Sequence, residues 1–124
     1  MPKLLMIHAA AVWSGPDNYE ADQIIPGALA SYGPCLGALA VLIDGPVPGQ
    51  VATPANAYTW AQKYSTPYPV CVDPAFQLEP IFPEAAFPTN ILINTATMQI
   101  MEAMAGAPDL GSPFFTSSVA SVCP

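Results

Sequence analysis

Few side chains in this sequence can do chemistry, and they are widely scattered. His8 is the only histidine, and Ser14 and Asp17 follow it closely. These are the three residue types of a nucleophilic triad. Six residues of strand-like chain between His8 and Ser14 reach up to roughly 20 Å at about 3.3 Å per residue. A triad works at hydrogen-bond distance, so none is expected, and His8 is expected inside the core. Cys35, Cys71 and Cys123 are odd in number and far apart. No Cys-x-x-Cys pair exists, so neither a zinc site nor a dithiol motif is encoded. Cys35 and Cys71 read as small buried apolar residues, and Cys123 as exposed beside the terminus. Asp44 and Asp73 follow apolar runs and read as turn caps. Gly33, Gly37 and Gly45 punctuate the chain and form no phosphate loop. No metal and no cofactor is expected.

The surrounding elements must place these groups. Leu4 to Ala10 is a continuous apolar run, as in a strand buried on both faces. Ser14-Gly15-Pro16 breaks it. Ser14 reads as an N-cap, Pro16 as a first-turn residue and Asp17 as a favourable charge at the helix start. A helix is predicted over 17–31, with Glu20 and Asp22 in its first turns and a kink at Pro26. Tyr32-Gly33-Pro34 ends it. A second buried strand is predicted over 38–44, followed by a Gly/Pro-rich loop to Ala52. Thr53 as N-cap and Pro54 as first residue open a helix to about Tyr64. A short strand follows over 68–72, then a short helix over 76–82. A hairpin takes 89–94 and 98–103 around Thr95-Ala96-Thr97. A last helix is predicted over 112–122.

The order β-α-β-α-β, then a hairpin, then a helix, implies an α/β fold with parallel strands first and antiparallel strands last. A mixed five-stranded sheet follows, in one domain over 1–124. That length supports a single core. Only 9% of residues are charged, against about 25% in an ordinary soluble domain. A surface of Ala, Ser, Thr and Pro accounts for this, and so does a large contact surface. The net charge is −7, with Lys3 and Lys63 the only cations. Phosphate backbones and anionic membranes need cationic clusters, so nucleic acid and membrane surfaces are poor partners. The apolar stretch from Leu4 to Trp13 is too short for a membrane span, and no signal-peptide cleavage pattern follows it.

A buried strand leading into Trp13-Ser14-Gly15-Pro16-Asp17 and a helix resembles the thioredoxin-like superfamily, where this position reads Trp-Cys-Gly-Pro-Cys. Phe87-Pro88-Thr89, directly before Ile91-Leu92-Ile93, resembles that family's cis-proline segment. The stretch from Ala52 to Asp73 resembles the helix-strand insertion of bacterial redoxin and alkyl hydroperoxide reductase-like domains. Ile93 to Ile100 resembles their terminal hairpin. The resemblance covers Leu4 to Gly106 and implies a three-layer fold with helices on both sheet faces. It also implies N-terminal strands that are absent here, and a cell-envelope or secreted location.

Ser14 and Asp17 stand at the positions of the attacking and resolving cysteines. Exchange needs a thiolate, so the motif as written is redox-inactive and no catalytic residue is expected there. The expected role is binding. Trp13, Ser14, Gly15, Pro16, Asp17, Phe87, Pro88 and Thr89 would form a groove for a protein or an extended peptide. Two other readings stay open. One is an active thiol-disulfide oxidoreductase or peroxidase-like antioxidant protein whose genuine motif carries cysteines. The other is a structural subunit of a homo-oligomer or larger assembly.

Overall fold

A computed structural model describes residues 1–123. The elements follow the chain as β1 (Leu4–Ala11), α1 (Gly15–Tyr19), a π-helical turn (Glu20–Ile24), α2 (Ile25–Tyr32), β2 (Leu36–Asp44), α3 (Pro54–Tyr64), β3 (Val70–Val72), a 3-10 turn (Glu79–Ile81), β4 (Thr89–Asn94), β5 (Gln99–Ala105) and α4 (Pro113–Val122). The five strands make one mixed sheet in the order β3-β2-β1-β4-β5. β1 and β2 pair in parallel, as do β2 and β3. β4 runs antiparallel to β1, and β5 antiparallel to β4. β1 is the central strand. That is why its sequence is apolar throughout instead of alternating.

The strand order fixes where the helices lie. β1, β2 and β3 advance across the sheet in one direction, and right-handed crossovers in one direction put both connecting helices on one face. Leu4, Met6, Leu36, Ala38 and Leu92 meet Ile24, Ile25, Ala28, Phe114 and Phe115 on that face. Ala10 and Leu42 meet Ala57 and Trp60 of α3 on the same face. Burying a side chain as completely as Phe115 stabilises the fold by roughly 1.5–3 kcal/mol. The opposite face carries Ile7, Ala9, Val41, Ile43 and Ile91, covered by Phe76, Ile81, Phe82 and Phe87. The layers are therefore uneven: four α-helices on one side, a single helical turn within an aromatic-rich segment on the other.

Local chemistry explains the boundaries. Thr53 and Asn56 form a reciprocal cap. The Asn56 N–H donates to Thr53 Oγ1 (3.2 Å), and the Thr53 N–H donates to Asn56 Oδ1 (2.9 Å). The predicted long helix is divided where Pro26 has no N–H to offer. Just ahead of it, the Ile25 N–H reaches back to the Glu20 carbonyl, which widens that turn to a π-turn. The segment 76–82 is helical only at Glu79–Ile81. The second hairpin strand begins after Met98, which sits in the turn with positive φ.

The cysteines correct the sequence reading. Cys35 and Cys123 form a disulfide across a separation of 88 residues, with Cα atoms 6.0 Å apart. Neither is the inert buried thiol or the free terminal thiol expected of them. Cys71 is free and exposed on β3, because β3 is an edge strand and turns that side chain outward. Among the described residues, no helix is long and apolar enough to cross a membrane.

Candidate functional site

β1 delivers the chain to the site. Past Ala11 it turns through Val12 and Trp13 into Ser14, the N-cap of α1. The Asp17 N–H donates to Ser14 Oγ at 3.4 Å, and Pro16 lies in the first turn. This is the helix start the sequence predicts. Asn18 adds a clamp, its side-chain amide donating to the carbonyls of Val12 (3.0 Å) and Ser14 (2.7 Å). Tyr64 of α3 donates its hydroxyl to Asn18 Oδ1, joining the motif to the next helix.

Below the motif lies a buried polar cluster. His8 Nε2 is 2.7 Å from Asp17 Oδ1, and both side chains are fully buried. The other Asp17 oxygen accepts the Ala11 N–H at 3.2 Å. His8 Nδ1 faces Glu20 Oε2 at 3.5 Å, without a hydrogen bond. Glu20 Oε1 accepts the side-chain amide of Asn90 on β4 at 2.9 Å. Asn90 also reaches the Gly106 carbonyl at 3.3 Å. Register explains the convergence: His8 pairs directly with Asn90 across the β1-β4 ladder. Asp17 and Glu20, three apart, present one helical face to them.

One sequence expectation changes here. The extended-chain distance kept His8 away from the motif, yet Asp17 returns to it because α1 folds back over the end of β1. Glu20, which the sequence places only as an acid in the first turns of the helix, is fully buried and belongs to this cluster. No triad results even so. One imidazole nitrogen faces Asp17 and the other faces Glu20, while Ser14 Oγ accepts the Asp17 N–H. The serine has no base.

The cluster holds protons tightly. Burial pushes His8 down, but the Glu20 charge and the Asp17 hydrogen bond and charge push it up, and the net direction is up. Burial pushes Glu20 up to about 7, against the pull of His8 and the Asn90 hydrogen bond. An imidazole between two carboxylates in a dry interior can store a proton, but no nucleophile is placed to use it. Burial, with Glu20 adding, also raises Tyr68.

The surface above the cluster brings the predicted binding residues to one end of the sheet. Trp13 is 41% exposed, and its indole N–H donates to Asp44 Oδ2 at 2.9 Å. Asp44 also accepts the Gly49 N–H at 3.2 Å, capping the turn after β2. Asp73 caps its own turn through the Gln77 and Leu78 N–H groups. Phe87–Pro88 is a cis peptide bond. The next residue, Thr89, pairs with Ala9, so Pro88 lies beside the end of β1 from which Trp13 emerges. Ser14, Asp17 and Thr89 are buried, whereas Gly15 and Pro16 face solvent. Trp60 is buried against the cluster, its ring centroid 6.5 Å from that of His8. No group of three or more His, Cys, Asp or Glu among the described residues is arranged to hold a metal ion.

Comparison with known proteins places this geometry. No family model matches the chain, and no curated protein matches it. Solved structures do. A thioredoxin-like protein from Aeropyrum pernix is 17% identical, with 98% of this chain and 78% of that one covered at a TM-score of 0.76. A thiol-disulfide oxidoreductase from Bacteroides fragilis is 17% identical over 96% and 80% at 0.68. An exposed lipoprotein thioredoxin from Streptococcus pneumoniae is 18% identical over 97% and 85% at 0.67. At such identities the likeness speaks for the fold. The chain has a thioredoxin-like fold, with Ser14 and Asp17 in the loop and helix start that follow its central strand.

Proposed function

We propose that this chain is a binding module built on a thioredoxin-like scaffold, inactive in thiol-disulfide exchange at residues 14 and 17. The observation that carries the reading is Asp17. Its carboxylate is committed to His8 and to the Ala11 N–H, and its main chain to Ser14. It is part of the interior, and no sulfur stands at either motif position. The exposed Trp13, held by Asp44, and the partly exposed Phe87 next to the buried cis Pro88 then offer an aromatic surface to an extended peptide. A secreted or cell-envelope location suits the Cys35–Cys123 disulfide, because such bonds persist in oxidising compartments.

The test has two arms. The intact mass of the protein should match Ser14 and Asp17. A mass that requires cysteine at either position would overturn the reading. Titration with an extended peptide pool should perturb Trp13 and Phe87 in heteronuclear NMR spectra. Trp13→Ala should weaken that binding at least tenfold, and unchanged affinity would remove the groove from the proposal.

A further inference from the structure

The sulfur missing from the motif is found at the other end of the sheet. Cys35 sits in the turn before β2, and its carbonyl accepts the N–H groups of Lys3 (2.9 Å) and Leu4 (3.0 Å). Cys123 caps the C-terminus of α4, donating its N–H to Val119. The bond between them is not sealed inside the core. Both cysteines are partly exposed, and both line a cavity of about 600 Å³ with Lys3, Tyr32, Pro34 and Val119. That volume lies within the range of small-molecule sites.

We propose that the Cys35–Cys123 disulfide is a thiol-exchange site for a low-molecular-weight thiol that enters this cavity. The surroundings of the two sulfurs differ, and the difference sets the direction of attack. Cys123 adjoins the negative end of a ten-residue helix that carries no basic residue in its last turn. A thiolate there is disfavoured. Cys35 lies three residues past the end of α2, its N–H donating to the Tyr32 carbonyl, and its own carbonyl accepts the N–H of Lys3, so it is further from a helix end than Cys123 and is the direct neighbour of one of only two cations in the chain. The better leaving thiolate is Cys35, and the sulfur with the better-supported leaving group is attacked faster.

The incoming thiolate therefore attacks Cys123 Sγ. A new S–S bond forms there, the Cys35–Cys123 bond breaks, and the electron pair leaves on Cys35 Sγ, which then takes a proton. A second thiol attacks the mixed disulfide, releasing Cys123 as a thiol. The two small thiols leave as one disulfide. The chain gains two electrons and two protons, and the thiol pair loses them.

The experiment uses the full chain with Cys71→Ser, which removes the free thiol. It is incubated with 2-mercaptoethanol in native buffer, quenched in acid, alkylated and mapped by chymotryptic mass spectrometry, with circular dichroism confirming that the fold persists. The expected result is native-state reduction, with the mercaptoethanol adduct on Cys123 and the alkyl label on Cys35. Lys3→Gln should slow the reaction several-fold. Reduction that needs denaturant would overturn the proposal, and an adduct confined to Cys35 would overturn the assigned direction.

Discussion

β1 runs between two ends of the sheet that are stabilised by different chemistry. Where it finishes, His8, Asp17, Glu20 and Asn90 interlock in the interior, and the motif above them has no sulfur. Where it starts, the Cys35–Cys123 disulfide ties α4 to the turn before β2, and the buried charged groups among the described residues (His8, Asp17 and Glu20) all belong to the other end. The first end depends on proton occupancy and the second on redox state. One fold can therefore carry two independent sensitivities, because a rigid central strand separates the groups concerned.

The largest expected effect tests the charged end. Asp17→Ala leaves the imidazole buried without its partner, which costs about 3–5 kcal/mol. Chemical denaturation measures it, and a loss under 1 kcal/mol would mean that His8 is not held by Asp17. At the other end, replacing both Cys35 and Cys123 by Ala should cost about 2–4 kcal/mol, as expected for a long closed loop. The two losses should add, because the sites share no partners. A quadruple comparison of wild type, each variant and the combination checks this.

The next effect sharpens the contrast through pH. Glu20 and His8 both hold protons more tightly in the fold than in the open chain. The folded state therefore binds more protons, and stability falls as pH rises. The Glu20 contribution is complete below about 4.5 and lost as pH passes about 7. The His8 contribution is complete below 6.5 and lost as pH climbs through its raised value. Each group gives a slope of up to about 1.4 kcal/mol per pH unit within its window. Denaturation midpoints from pH 4 to 8 should decline in the wild type and flatten in Glu20→Gln. The disulfide variant should keep the wild-type slope. The smallest effect belongs to Trp13→Ala, which should change stability by no more than about 0.5 kcal/mol because the ring is on the surface.

Much of the fold was legible in the sequence. Apolar runs gave the strands, Thr53-Pro54 and Ser14-Gly15-Pro16 gave helix starts, and Phe87-Pro88-Thr89 marked the cis proline. The buried cluster was not legible, because Asp17 and His8 meet only after α1 folds back on β1. A signal was available: one histidine in an apolar strand, facing two carboxylates at helical spacing. The disulfide was also hidden. Three cysteines allow several pairings, and only tertiary geometry chooses among them. Cys71 was misplaced because the strand sequence 68–72 does not say which strand lies at the sheet edge.

The span of the disulfide has a consequence for cutting the chain. The residues between Cys35 and Cys123 include the Gly/Pro-rich loop after β2, the segment 76–87 and the exposed Lys63. A protease that nicks any one of them releases no fragment, since both pieces stay bridged by sulfur. Trypsin acting at Lys63 would leave a two-piece molecule that still migrates as a unit until a reductant separates it.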